Sequence, residues 1–223
     1  MKKLLLFTLV LVLALSFNAC KKDDKTEPAG STQDDIPIDS TQIKEQVIEI
    51  KTKFGNMYMW LYKETPLHRA NFLKLAKDEY FDSTTFHRII AGFVAQGGDP
   101  NTKDNDPSDD GNGSPGYTVP AEIKTSIKHN YGAVGAARMP DNVNPAKASS
   151  GSQFYIVVNT AGTHGLDGGY TVFGKILGGM PVAQTIVNQP KGANDRPNEF
   201  IRMDVNIIEK TRAELKTEFN FVP

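Results

Sequence analysis

The chain reads as an all-β protein, an antiparallel barrel or sandwich with a small helical complement, and three observations predict it. From residue 84 onward the apolar residues fall into short runs of strand length, "TTFHRII", "GFVAQGG", "YTVPAEI", "GAVGAA", "SQFYIVVN", "YTVFGKIL" and "IRMDVNIIEK". Glycine-rich loops separate these runs, as in sheets whose strands double back through short connections. Helical periodicity occurs in only two places, "ETPLHRANFLKLAKDEYF" and "GGMPVAQTIVNQP".

Taken in order, Val47–Thr52 and Asn56–Tyr62 make a first hairpin around a turn at Phe54 and Gly55. The first helix follows, with Thr65 as N-cap, Pro66 at the first helical position, and Ala70, Leu73 and Ala76 on one face. The second opens at Pro181 and turns Val182, Ile186 and Val187 inward. Strict alternation in "FHRII" sets Arg88 on the face of Phe86 and Ile90, opposite His87 and Ile89, and the bend at Gly92 brings Phe93 and Gln96 beside it. An unpaired guanidinium in a core is prohibitively costly, so this face is expected to open to water or to a ligand. The closing "TRAELKTEFNFVP", residues 211–223, is an extension that reads either as a short helix on the sheet or as a loose tail.

With 223 residues, 39% of them hydrophobic, there is material for one sizeable core. Lys and Arg number 25 against 26 Asp and Glu, and no basic block interrupts the chain, so no nucleic-acid partner is expected. The first twenty residues carry Lys2 and Lys3 and then the apolar run Leu4–Leu15, which is short of the roughly 20 residues of a membrane span and reads as an export signal. The single cysteine, Cys20, follows it directly after Ala19. This arrangement resembles a bacterial lipoprotein signal, although Phe17 stands where that pattern usually has leucine. The resemblance implies lipidation of Cys20, a membrane anchor, and a place in the cell envelope on the periplasmic face or the cell surface. Residues 21–45 are polar, lack an apolar period and read as a disordered linker, which leaves residues 46–210 as the folded domain.

Three segments, "FHRIIAGFVAQGGDP", "GSQFYIVVN" and "LDGGYTVFGKI", together resemble the cyclophilin family of peptidyl-prolyl cis-trans isomerases over about residues 46–210. The resemblance implies a closed eight-stranded antiparallel barrel capped by two helices, with a groove on its outer wall that acts on proline-containing peptides or unfolded proteins. It implies Arg88 and Gln96 as catalytic residues. It further implies a substrate site of Phe93, Val94, Gln153, Tyr155, Leu166 and Tyr170, bordered by Ala137, Arg138 and Met139, whose backbone would bind the residues before proline. Gly165 occupies a position where many members carry a tryptophan that hydrogen-bonds cyclosporin, which puts tight binding of that ligand in doubt. A groove that merely bound proline-containing segments, as in a chaperone or adhesion module, would not need Arg88.

Rotation about an amide needs neither metal nor organic cofactor, and none is expected. The acidic loop has Asp106, Ser108, Asp110 and Gly111 at calcium-loop spacing, but Tyr117 stands where a bidentate glutamate is needed, so it reads as a solvated loop. His68, His87, His129 and His164 show no metal-ligand spacing, and no nucleophile elbow is present.

Overall fold

The computed structural model describes residues 39–223; the export signal, Cys20 and most of the expected linker lie outside them. β1 (Lys44–Thr52) and β2 (Gly55–Leu61) form the first hairpin, followed by α1 (Pro66–Lys77). Next come β3 (Thr84–Ile90), β4 (Val94–Gly97), β5 (Thr118–Val119), β6 (Ala133–Ala136), β7 (Ser149–Ser150) and β8 (Phe154–Val157). β9 (Val172–Gly178), α2 (Met180–Val187), β10 (Arg202–Thr211) and α3 (Arg212–Phe219) complete the chain.

Eight strands close into one antiparallel barrel in the order β1-β10-β3-β4-β8-β6-β9-β2, and β5 and β7 pair separately. The interior is filled by Ile48, Met57, Met59, Phe86, Ile89 and Ile156, all fully buried, so no ligand fits inside. Phe72, Leu75 and Ala76 of α1 and Ala183, Ile186 and Val187 of α2 join the same core.

Three expectations are corrected. The buried face of α1 is His68, Phe72, Leu75 and Ala76, whereas Ala70 is exposed. Phe72 decides this: its ring stacks on Phe81 at 4.6 Å and meets Phe154 and Phe173, and burying a phenylalanine and a leucine is worth about 1.5–3 kcal/mol each, more than burying alanines. Thr65 occupies the N-cap without capping. The carboxylate of Glu122 accepts the amides of Leu67 and His68 at 3.1 and 2.9 Å and neutralises that helix end. The run expected as a strand at residues 117–123 shrinks to the two residues of β5.

The domain also extends past its expected limits at both ends. β1 starts at Lys44, preceded by a 3-10 turn at Ser40–Gln42 whose Thr41 amide donates to the Asp39 carboxylate. It runs that far because Lys44 and Glu45 pair with Thr211 and Lys210 of β10, and Glu45 takes ion pairs from Lys63 and Arg212. The C-terminal extension is a helix, α3, started by a capping box between Thr211 and Glu214. Its Leu215 is fully buried against Val47 and Trp60 on the outside of the barrel, with Phe219 and Phe221 at the margin.

Trp60 is the only tryptophan and is 5% exposed. Removing residues 212–223 is therefore expected to shift its fluorescence emission to the red while the barrel stays folded. Unchanged emission would mean that α3 does not cover this wall in solution.

Candidate active site

Cross-strand register assembles the site. Arg88 on β3 pairs with Gln96 on β4, Gln96 with Tyr155 on β8, and Tyr155 with Gly135 on β6, a single rung crossing four strands. The neighbouring rung, Ile89, Ala95, Ile156 and Val134, is fully buried and faces the core. Arg88 faces outward, as the cost of burying its charge demands, but Phe86 does not share that face as the alternation expected. A β-bulge between Phe86 and Arg88 inserts His87 as an extra residue, so Phe86 and Ile89 both point inward and Arg88 points out. Gly92, at φ +70, makes the turn that brings Phe93 round to the same wall.

On this outer wall Arg88, Phe93, Val94, Gln96, Ala137, Arg138, Tyr155, Leu166 and Tyr170 line an open groove of about 200 Å³. Its apolar floor is a second cluster, separate from the barrel core, built on Val94, Tyr155, Val157 and Val172 with Phe93 and Leu166 packed against it. Gly135 makes room for the Tyr155 ring, since a Cβ there would lie 2.4 Å from Cζ. Tyr170 meets Tyr155 edge-on at 6.1 Å, and the Arg138 guanidinium lies over Tyr170 at 4.4 Å. Arg138 is itself held by Asp141 and by the carbonyl of Gly169.

A chain of amides aims the cation. Gln153 donates to the carbonyls of Gly111 and Gly113 at 3.0 and 2.9 Å, which leaves its Oε1 to accept from Gln96 at 3.1 Å. That bond in turn commits the Oε1 of Gln96 to accept from Arg88 Nη1 at 3.3 Å. Each amide orientation thus dictates the next. Among the described residues the Arg88 guanidinium makes this one hydrogen bond and no ion pair, which leaves its other donors available on the groove wall.

The acidic loop is folded around a carboxylate. Asp99, fully buried, accepts the amides of Asn101, Gly111 and Gly113, Asp106 caps Ser108, and Asp110 pairs with Arg196. The residues at calcium-loop spacing are thus occupied in separate tasks.

Seven of the nine residues expected to bind substrate line the groove together with Arg88 and Gln96. Gln153 stands behind Gln96 and is consumed by the loop carbonyls. Met139 is 64% exposed and lies off the groove, its carbonyl taken by Arg138. The backbone of Ala137 is also engaged, to Gln153 and Ser150. Two residues of the site, His129 and Asp167, escaped the reading of the sequence. His129 Nδ1 lies 2.8 Å from Asp167 Oδ1 and its Nε2 lies 2.9 Å from the Tyr155 hydroxyl. Burial pushes the Asp167 carboxyl up, but the His129 amide and the imidazoles of His129 and His164 outweigh it and bring the group down to about 2. Burial also pushes the Tyr155 phenol up and the His129 imidazole down, so both stay neutral near pH 7.

His87, the bulge residue, is buried with both ring nitrogens unpartnered, and this desolvation lowers its pKa from 6.5 to about 4. The unfolded chain therefore takes up a proton below pH 6.5 that the folded chain refuses, and stability falls as pH drops from 6.5 to 4, by about 3 kcal/mol from this residue. Urea unfolding across that range is expected to show the fall, and His87→Phe should flatten it. Equal slopes in both proteins would show that His87 is not the group refusing the proton.

The sequence and the architecture find the same relatives. Residues 47–207 match the family model described as cyclophilin type peptidyl-prolyl cis-trans isomerase/CLD. A peptidyl-prolyl cis-trans isomerase of Dictyostelium discoideum, cypE, is 34% identical over 165 residues, 71% of this chain and 95% of that protein. An isomerase-like protein of Rhizopus delemar is 36% identical over 186 residues, and the chain spans 32% of its length. A Cryptosporidium parvum cyclophilin crystallised in the presence of the dipeptide Ala-Pro superimposes with a TM-score of 0.62 at 29% identity, covering 73% of this chain and 98% of that one. The eight-stranded barrel is thus a fold shared with its relatives, and the chain belongs to the cyclophilin-type peptidyl-prolyl cis-trans isomerases.

Proposed function

We propose that this isomerase works at the outer groove, with Arg88 as the catalytic donor and Gln96 holding it in register. The observation that carries the reading is a guanidinium with, among the described residues, one hydrogen bond and no counter-ion, set beside an apolar pocket on the outer wall of the barrel. The X-Pro amide resists rotation by about 18–20 kcal/mol because resonance keeps it planar. When it twists, conjugation is lost and the prolyl nitrogen becomes pyramidal and gains a lone pair. Arg88 donates to that lone pair, an interaction absent in the planar ground state and therefore one that lowers the barrier. Phe93, Val94, Tyr155 and Leu166 grip the prolyl ring while the carbonyl side turns, and Tyr170 closes the rim. No bond is made or broken.

Proline-containing peptides or unfolded proteins are the substrates, in keeping with the Ala-Pro dipeptide used with the Cryptosporidium relative. Gln153 orients Gln96, and Ala137, Arg138 and Met139 border the side where residues before proline would lie. Cyclosporin binds weakly, because Gly165 leaves open space where many family members offer an indole donor. The export signal and Cys20 support a lipoprotein form, anchored in the cell envelope on the periplasmic face or cell surface.

Arg88→Ala is expected to lower kcat/KM for a proline-containing peptide by about 10²-fold or more with an unchanged melting temperature. Residual turnover at the wild-type level would move the chemistry away from Arg88. In the same assay cyclosporin should inhibit poorly, and Gly165→Trp should strengthen it; potent inhibition of the wild type would contradict the weak-binding reading. For the anchor, the full chain expressed in a bacterium should sediment with membranes and Cys20→Ser should not, whereas identical partitioning of the two would exclude lipidation at Cys20.

A further inference from the structure

The groove has two kinds of wall. Tyr155 comes from a strand, whereas Leu166 comes from the 3-10 turn His164–Leu166 in a loop, which strand pairing does not hold. One residue ties them. His129 is 1% exposed, and it receives the Thr163 amide on its carbonyl at 2.7 Å and gives its own amide to Asp167 at 2.9 Å. Those bonds grip the loop on both sides of Leu166. With Asp167 ionised, Nδ1 carries the ring proton and donates to it, which leaves Nε2 to accept from the Tyr155 hydroxyl. The imidazole therefore holds a fixed distance between loop wall and strand wall, and its two hydrogen bonds run in directions that only the neutral ring can satisfy.

We propose that His129 is a positioning residue that sets the width of the prolyl pocket and with it the size of ring the site accepts. The inference rests on the reading that the groove holds the prolyl ring. It assigns the Asp167–His129–Tyr155 chain a part in specificity without contact between His129 and substrate. Loosening it lets Tyr155 and Leu166 separate, which weakens the grip on a five-membered ring and relaxes exclusion of a six-membered one.

The test compares two peptides that differ only in proline or its six-membered homologue, pipecolic acid. His129→Asn keeps the reach to Asp167 and loses Tyr155. It is expected to lower prolyl kcat/KM about tenfold and to raise the pipecolyl-to-prolyl ratio of kcat/KM about threefold or more. Tyr155→Phe cuts the same bond from the other end and should raise the ratio in the same direction, and the double variant should change it no further. His129→Gln, whose amide reaches the Nε2 position, should return the ratio toward wild type. A purely structural histidine would lower both rates in parallel and leave the ratio fixed in His129→Asn and Tyr155→Phe alike, which overturns the proposal. Should His129→Asn fail to fold, the ratio in Tyr155→Phe decides alone. Phe93→Ala separates the two readings: undiminished prolyl turnover there sinks the groove itself, whereas lost turnover with an unmoved ratio sinks only the role of His129.

Discussion

One extra residue in β3 determines whether this barrel can carry a site at all. Between the pairs Phe86–Gly97 and Arg88–Gln96 the strand accommodates His87 with no partner of its own. Without that insertion Arg88 would follow the alternation of Phe86 into an interior already filled, where an unpaired guanidinium costs several kcal/mol. With it, two consecutive core positions, Phe86 and Ile89, are filled from a strand that still delivers a cation to the outer wall. The strand accepts a desolvated histidine in exchange, buried beside Arg196 and with neither ring nitrogen hydrogen-bonded. A bulge next to a functional residue thus re-aims a side chain that pleating alone would misdirect.

The barrel wall works as a partition between two apolar clusters. The inner one holds the fold together, and the outer one, around Val94, Tyr155 and Val172, is left partly open. Neighbouring positions along each strand serve the two sides, so Ala95 and Ile156 can be changed only at the expense of the core while Val94 and Tyr155 shape the groove. Val94 keeps the floor apolar. The polar half of the site follows a different logic, in which backbone carbonyls of the acidic loop orient Gln153, then Gln96, then Arg88. A loop distant from the pocket by sequence is therefore coupled to the direction of its cation.

Much of this was legible in the residues. Short apolar runs between glycines gave the strands, Pro66 and Pro181 marked the helix starts, and the motifs around Arg88, Gln153 and Tyr170 located the groove. What stayed hidden depended on geometry that spacing does not encode. A bulge leaves no mark in an alternation count, so Phe86 was grouped with Arg88 on the open face although it belongs to the core. The rotation of α1 was set by Phe72 meeting three aromatic rings from elsewhere, which outweighed the regular alanine and leucine spacing. The cap from Glu122 and the bonds of His129 to Asp167 and Tyr155 join residues tens of positions apart, and a lone histidine offers no local sign of such partners. The ending that could have been a tail became a helix because Leu215 found Val47 and Trp60 on the bare outer wall.

The strand order has a consequence for how the enzyme meets its clients. Counting round the closed barrel, β1 stands four strands from β8 in either direction, so the chain enters the domain on the side opposite the groove. The α3 helix braces that entry, with the Arg212 amide bonded to the Ile43 carbonyl and its guanidinium to Glu45. The wall formed by β1 and α3 therefore lies across the barrel from the groove. A long peptide can then pass across the groove without meeting the segment that leads into β1 or the helix that closes the chain.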